Sequence, residues 1–223
     1  MDYLREWFDM SGVSQAVFMN QRSFGSPPPG GIGSAYAGGF FAGQISTAGN
    51  GVATHNLVIG PLSSAQTTAQ WKTTNTFSGG ASSFINGPTN SANLNNASHP
   101  AAQFCEGLTI GGFTDWYMPA RNELDVCYYN LKPTTEGNNT ASGVNTNAVP
   151  IRNSNYTSET PVQTSAAAFV TGGAEAFAAG YYWSSTESSA PFAWAQFFGD
   201  GGLNDARYKE SSYKVRAVRR VPV

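Results

Sequence analysis

Charge is scarce in this chain of 223 residues, with Asp, Glu, Lys and Arg making up 12% of it, about half the roughly 25% usual in globular proteins. The formal net charge is -2, which supplies no general attraction to phosphate backbones and argues against nucleic acid as a partner. Cysteine is nearly missing. Cys105 and Cys127 alone exclude a disulfide-dense scaffold and a four-cysteine zinc site. Both read as free buried thiols, a single bridge being the alternative. No stretch of 18 apolar residues occurs, which argues against insertion into a membrane as a helix. The opening MDYLREWFDM lacks the apolar region of a secretory signal. Synthesis in the cytoplasm is therefore expected, with any outside destination reached by another route, such as assembly into a particle released by lysis. Catalytic signatures are missing too. There is no G-x-x-x-x-G-K-[ST] loop, no histidine pair at metal spacing, and no histidine after His99 to activate Ser184 or Ser185.

Gly, Ser, Thr, Asn and aromatic residues are plentiful instead. Disorder needs high charge and few aromatics, so this composition predicts an ordered α+β chain of short strands, tight turns and long polar loops. Leu4, Trp7 and Phe8 fit one helical turn that either docks on a partner or packs back on its own domain. The run SFGSPPPGGIGSAYAGG reads as a linker or hinge. The expected division is an arm and hinge over residues 1–35 and one domain over 36–223, beginning with a β-hairpin at 38–62. His55 in that hairpin reads as a packing or solvated side chain.

Residues 63–98 read as a polar loop pinned to the core by Trp71, Phe77, Phe84, Ile85 and Leu94. Ala101, Phe104, Cys105 and Leu108 fall at i, i+3, i+4 and i+7 and predict a helix capped by Ser98. Leu124, Cys127, Tyr128 and Leu131 repeat the spacing and predict a second. The polar stretch 132–179 is long enough to be functional, disordered or held by a partner chain. Beyond it, DGG marks a hairpin. Lys214, Arg216 and Arg220 share one parity and would share one strand face, with Arg219 opposite. A structural role is expected for these cations, contact with a polyanion being the alternative.

The order of elements carries more than any one of them. The runs GGFTDWYMP, NEL, YWSSTE, AWAQF and VRAVRR follow one another over about the last 125 residues, and this order resembles the Lcl C-terminal-type family of bacterial and phage proteins. The resemblance implies a C-type-lectin-like fold, two short helices packed on small twisted antiparallel sheets with many long loops. Trp116 and Trp183 would join sheet to helices, Asp115 and Glu187 would accept backbone or arginine hydrogen bonds, and a carboxylate near Arg121 or Arg216 would form an ion pair that holds the fold. By the same resemblance the ligand face lies near the last hairpin, with candidates Ser188, Ser189, Phe192, Trp194, Gln196, Asp200, Asn204, Asp205, Arg207 and Tyr208. For Trp194 a place in the core is the competing reading. The redox cysteines of formylglycine-generating relatives have no counterpart here, so no enzymatic activity, no metal site and no cofactor is expected. Calcium at Asp200, Asn204 and Asp205 has only residues that also make ordinary turns. The function implied is a phage virion protein, a tail fibre, tail tip or capsid decoration, displayed on the particle exterior. Its partners would be other virion proteins and a host-surface glycan or protein, in a homo-oligomer with a trimer favoured. The alternative is a bacterial surface or secreted adhesin.

Overall fold

The computed structural model describes residues 30–223. The arm expected from Leu4, Trp7 and Phe8 lies outside the described residues, as do the three prolines of the hinge. The rest is an α+β fold of two five-stranded sheets and short helices. One sheet is formed by β1 (Ala35–Tyr36), β2 (Gly39–Ile45), β3 (His55–Ile59) and β10 (Val218–Pro222) in that order, with β5 (Ala148–Val149) paired to β2. The other has the order β4 (Gln66–Gln70), β9 (Ser212–Arg216), β6 (Tyr181–Glu187), β7 (Phe192–Phe197) and β8 (Leu203–Tyr208). All pairings are antiparallel except that of β6 with β9.

The helices are α1 (Leu62–Ala65), α2 (Gly87–Asn93), α3 (Pro100–Glu106) and α4 (Arg121–Leu131). The two helices expected from apolar spacing are α3 and α4. The residue before α3 is His99 rather than Ser98, and no side chain caps it. Pro100 needs no cap for the N–H that it lacks. At α4 half a capping box is present, because Glu123 Oε2 accepts the Ala120 N–H at 2.8 Å while Ala120 has no side-chain acceptor to offer in return.

α4 is the axle of the molecule. Leu124, Cys127, Tyr128 and Leu131 all face one apolar cluster with Ile45, Leu57, Phe177 and Phe198. The approach to β2 is close. Gly43 has φ +134°, and a Cβ there would lie 2.3 Å from Asn130 Nδ2, so the bulge between Phe41 and Gly43 needs glycine. A second cluster packs α3 against the other sheet through Trp71, Trp116, Met118, Cys105 and Trp183. Trp183 Nε1 donates to Ala69 O at 3.1 Å. Both thiols are free and buried, one in each cluster.

Several expectations are corrected. Residues 63–98 contain a strand and a helix, and they are pinned by Trp71, Ile85 and Leu94, whereas Phe77 and Phe84 are 69% and 45% exposed. The C-terminal basic segment is not one strand. It breaks at Ala217, whose N–H donates to Ala65 O, and passes from the second sheet to the first. Each arginine then finds its own carboxylate: Arg216 with Glu175, Arg219 with Asp115, and Arg220 with Glu123. The long stretch 132–179 is held from within. Asn138 Nδ2 donates to Pro161 O at 2.9 Å and Asn145 Nδ2 to Asp125 Oδ2 at 2.7 Å, while Tyr156, Phe169 and Phe177 enter the first cluster.

His99 gives this scaffold a pH dependence. Its ring joins Asn96 Oδ1 and Ser78 Oγ at 2.8 Å each and packs edge-on to Trp71. Burial, with Lys72 and Lys209 adding to it and Glu187 opposing, lowers it from 6.5 to about 4. The unfolded chain therefore takes up a proton near pH 6.5 that the folded chain refuses until about pH 4. This contribution is whole above pH 6.5 and is lost as pH falls toward 4. Urea midpoints measured across that window should fall with pH, and His99→Gln should flatten the slope.

Candidate functional site

The last hairpin is built by β7 and β8, joined through residues 198–202. Gly201 turns it with φ +79°, and a Cβ there would meet Tyr128 Cε1 at 2.1 Å, so the turn rests directly on α4. Asp200 Oδ1 accepts the Gly202 N–H at 2.8 Å and Asn204 Oδ1 the Ala206 N–H at 3.0 Å. These oxygens thus serve the turn. Among the described residues no group of three or more His, Cys, Asp or Glu side chains is placed to hold a metal ion.

The register slips between Ala193 and Ala195: the first faces Arg207 and the second Asn204. Trp194 therefore stands opposite two residues, Asp205 and Ala206, at a bulge that lifts that part of the edge strand outward. Ala193 and Ala195 turn into the second core cluster. Trp194 does not belong to either cluster and is half-buried. Its ring meets Phe84 edge-on at 5.6 Å. Phe192 packs on Tyr208 at 4.8 Å, and Tyr208 is 56% exposed. Ser188, Ser189 and Asp205 are exposed, and Asn204 is half-buried.

Gln196 is elsewhere. It is 0% exposed, and its Nε2 donates to Gly201 O at 3.1 Å, so it fastens the turn from inside and does not reach the outer face. The hairpin thus gathers nine of the ten expected residues at its surface and withdraws one.

Phe84 and Arg121 are not among the residues expected at the ligand face. Arg121, the first residue of α4, has its guanidinium 4.9 Å from the Phe84 ring and 4.6 Å from the Trp194 ring. Among the described residues it makes no ion pair, so the carboxylate expected beside it is not there; only Arg216 has one. Its Nη1 donates to Asn122 Oδ1 at 2.8 Å, and its buried Nε has no partner. Burial holds the guanidinium below its ordinary value, with Asp125, Tyr156 and Asp205 pulling it back up. It stays a cation, since guanidinium does not deprotonate in proteins.

Arg207 repeats the theme on β8. Its guanidinium lies 3.9 Å from the Tyr181 ring and bonds the Tyr181 hydroxyl, and its Nε too is buried without a partner. Among the described arginines these two, both against the last hairpin, lack a carboxylate, while Arg152, Arg216, Arg219 and Arg220 each have one.

The family model described as the Lcl C-terminal domain matches residues 62–219. No curated protein matches the chain. Among the described residues no helix is long and apolar enough to cross a membrane.

Proposed function

The chain belongs to the Lcl C-terminal domain family, which suggests a surface or secreted protein, and we propose that it acts as a bacteriophage virion protein that attaches through its last hairpin. It would be a tail fibre, a tail tip or a capsid decoration on the particle exterior. The observation that supports this is the contrast between scaffold and hairpin. Buried charges elsewhere are matched by ion pairs or backbone carbonyls, whereas the hairpin region keeps two unpaired guanidiniums and the half-exposed rings of Phe84, Trp194 and Tyr208. Unpaired donors beside aromatic rings suit recognition of a host-surface glycan or protein. The serines of the YWSSTE run, Ser184 and Ser185, are buried, which favours binding over nucleophilic chemistry.

Residues 1–35 would anchor the protein to other virion proteins, and 36–223 would be the displayed domain, in a homo-oligomer with a trimer favoured. No cofactor, nucleic acid or membrane insertion enters this reading. A bacterial surface or secreted adhesin is the second reading, favoured by the family itself.

The native protein should co-purify with virions in fixed copy number and be missing from the host envelope fraction. Recovery from bacterial surfaces alone would select the adhesin. In virions, a double alanine variant at Trp194 and Tyr208 should cut adsorption about tenfold or more, as expected when central aromatic anchors are removed. Its melting temperature should move little, because these side chains lie outside both core clusters.

A further inference from the structure

Arg121 leaves one particular edge of its guanidinium unused. Nη1 is taken by Asn122, Nε is buried and unpartnered, and among the described residues Nη2 makes no hydrogen bond. The Nε and Nη2 protons point the same way and form the two-pronged edge that grips a carboxylate side-on. This chain contains the satisfied version. Arg219 gives Nε to Asp115 Oδ1 at 2.7 Å and Nη2 to Asp115 Oδ2 at 2.9 Å, with its guanidinium 3.8 Å from the Phe113 ring. At Arg121 the aromatic wall is present twice over, in Phe84 and Trp194, and the carboxylate is missing.

From this contrast we propose that Arg121, walled by Phe84 and Trp194, is the receptor for the carboxylate of an acidic sugar in a host-surface polysaccharide. The inference rests on the attachment reading above and names its ligand class. A buried donor without an acceptor costs free energy in the free protein, and a ligand carboxylate recovers it. The rings supply flat apolar walls for a sugar ring beside that carboxylate. Phe84 is 45% exposed and is the wall free to turn aside as the ligand reaches Nε. The helix start takes no part, since the Arg121 N–H donates to Thr186 Oγ1 and the Asn122 N–H to Phe84 O.

Asp205 gives the proposal a sign. Buried Asp125 and exposed Asp205 both act on Arg121 from beyond ion-pair distance, Asp125 the more strongly, so both oppose an incoming carboxylate, and Asp205 is the one that can be neutralised without disturbing the scaffold. Arg121→Gln should therefore weaken binding, and Asp205→Asn should strengthen it. A cationic ligand demands the reverse of both.

The test uses the full chain and titration calorimetry with oligogalacturonate, the same oligomer as its methyl ester, a sulfated dextran and an acidic tetrapeptide. Oligogalacturonate should bind the wild type. Methyl esterification, which keeps the sugar and removes the charge, should weaken binding at least about tenfold, as should Arg121→Gln. Arg121→Lys, which keeps the charge but not the fork, should recover only part of that loss. Asp205→Asn should tighten binding about two- to threefold. Thermal melts of each variant separate lost binding from lost fold, and Phe84→Ala, outside both core clusters, should weaken binding in a folded protein.

Equal binding of acid and ester, no binding of the acid at millimolar concentration, or equal binding of the tetrapeptide would each overturn the acidic-sugar assignment. So would sulfated dextran that binds more tightly than the acid and ignores Arg121→Gln. None of these outcomes touches the adsorption experiment, which can succeed with a neutral receptor.

Discussion

Asp125→Ala should destabilise the protein by about 3–5 kcal/mol, the usual cost of stripping one partner from a buried ion pair. Its carboxylate is buried on the inner face of α4. Arg152 and the Tyr156 hydroxyl both bond to it, and Asn145 Nδ2 donates to Oδ2 at 2.7 Å. Three points of the long stretch 132–179 thus converge on one side chain. Alanine leaves the guanidinium, the phenol and the amide facing a gap, although Arg152 keeps its Nε bond to Gly143 O at 3.2 Å and its contact to the Tyr129 ring at 4.3 Å, and Asn145 Nδ2 keeps its bond to Asn122 O at 2.8 Å. Against a total stability of about 5–15 kcal/mol, that loss removes about a fifth or more. Urea denaturation should show it as a lower midpoint. Limited proteolysis should show new cleavage between Asn138 and Pro161 before the rest of the chain opens. Asp125→Asn, which keeps one acceptor oxygen, should cost less. An alanine variant within about 1 kcal/mol of wild type would mean that Tyr156 and the other buried rings hold this stretch without the network.

That network also marks the boundary of what could be read from sequence. The helices α3 and α4 were legible because Ala101, Phe104 and Cys105, and then Leu124, Cys127, Tyr128 and Leu131, repeat at helical spacing. The hairpin of β7 and β8 was legible from its DGG turn, and the family from the order of its motifs. Polar elements were not. β4 reads QTTAQ and α2 reads GPTNSAN; neither has an apolar period, and each is held by neighbours distant in sequence. β4 pairs with β9, and Ser91 Oγ of α2 accepts the Met118 N–H at 3.0 Å. Parity arguments failed at Ala217 because they presume one continuous strand, and a switch between sheets leaves no compositional trace.

The site was half legible for the same reason. Its hairpin residues are neighbours in sequence and were expected together, apart from Gln196, whose parity with Trp194 said nothing of the buried turn beneath it. Phe84 and Arg121 arrive from two other elements. Phe84 reads as an anchor because aromatics in polar loops usually are. Arg121 was expected beside a carboxylate, and no pattern in one sequence marks an arginine as the one left without. The motif tryptophans Trp116 and Trp183 are buried scaffold, whereas Trp194 of the AWAQF run both identifies the family and lines the proposed site.

Lys209→Met should cost about as much as Asp125→Ala, about 3–5 kcal/mol, and should disorganise the hairpin as well. Lys209 follows β8 directly and is fully buried. Its ammonium pairs with Glu187, the last residue of the YWSSTE run, and donates to Ala190 O at 2.7 Å and Thr76 O at 2.9 Å. Glu187 in turn accepts the Ser78 and Gly79 N–H groups at 2.8 and 3.1 Å. One ammonium thus ties the end of β8, the β6–β7 turn and the loop that carries Phe77. Burial lowers the lysine below its ordinary value, with Glu187 restoring part of it. The pair therefore exists because each charge makes the other tolerable. Removing one alone strands a buried carboxylate, so Lys209→Met combined with Glu187→Gln should recover about 1–2 kcal/mol relative to the sum of the single variants. A double-mutant cycle in urea measures that coupling directly. Additive losses would show that the backbone N–H groups of Ser78 and Gly79 satisfy Glu187 without the lysine. Adsorption of the Lys209→Met virion should fall even below its melting transition, because the hairpin that presents Trp194 and Tyr208 is anchored at its far end by this residue.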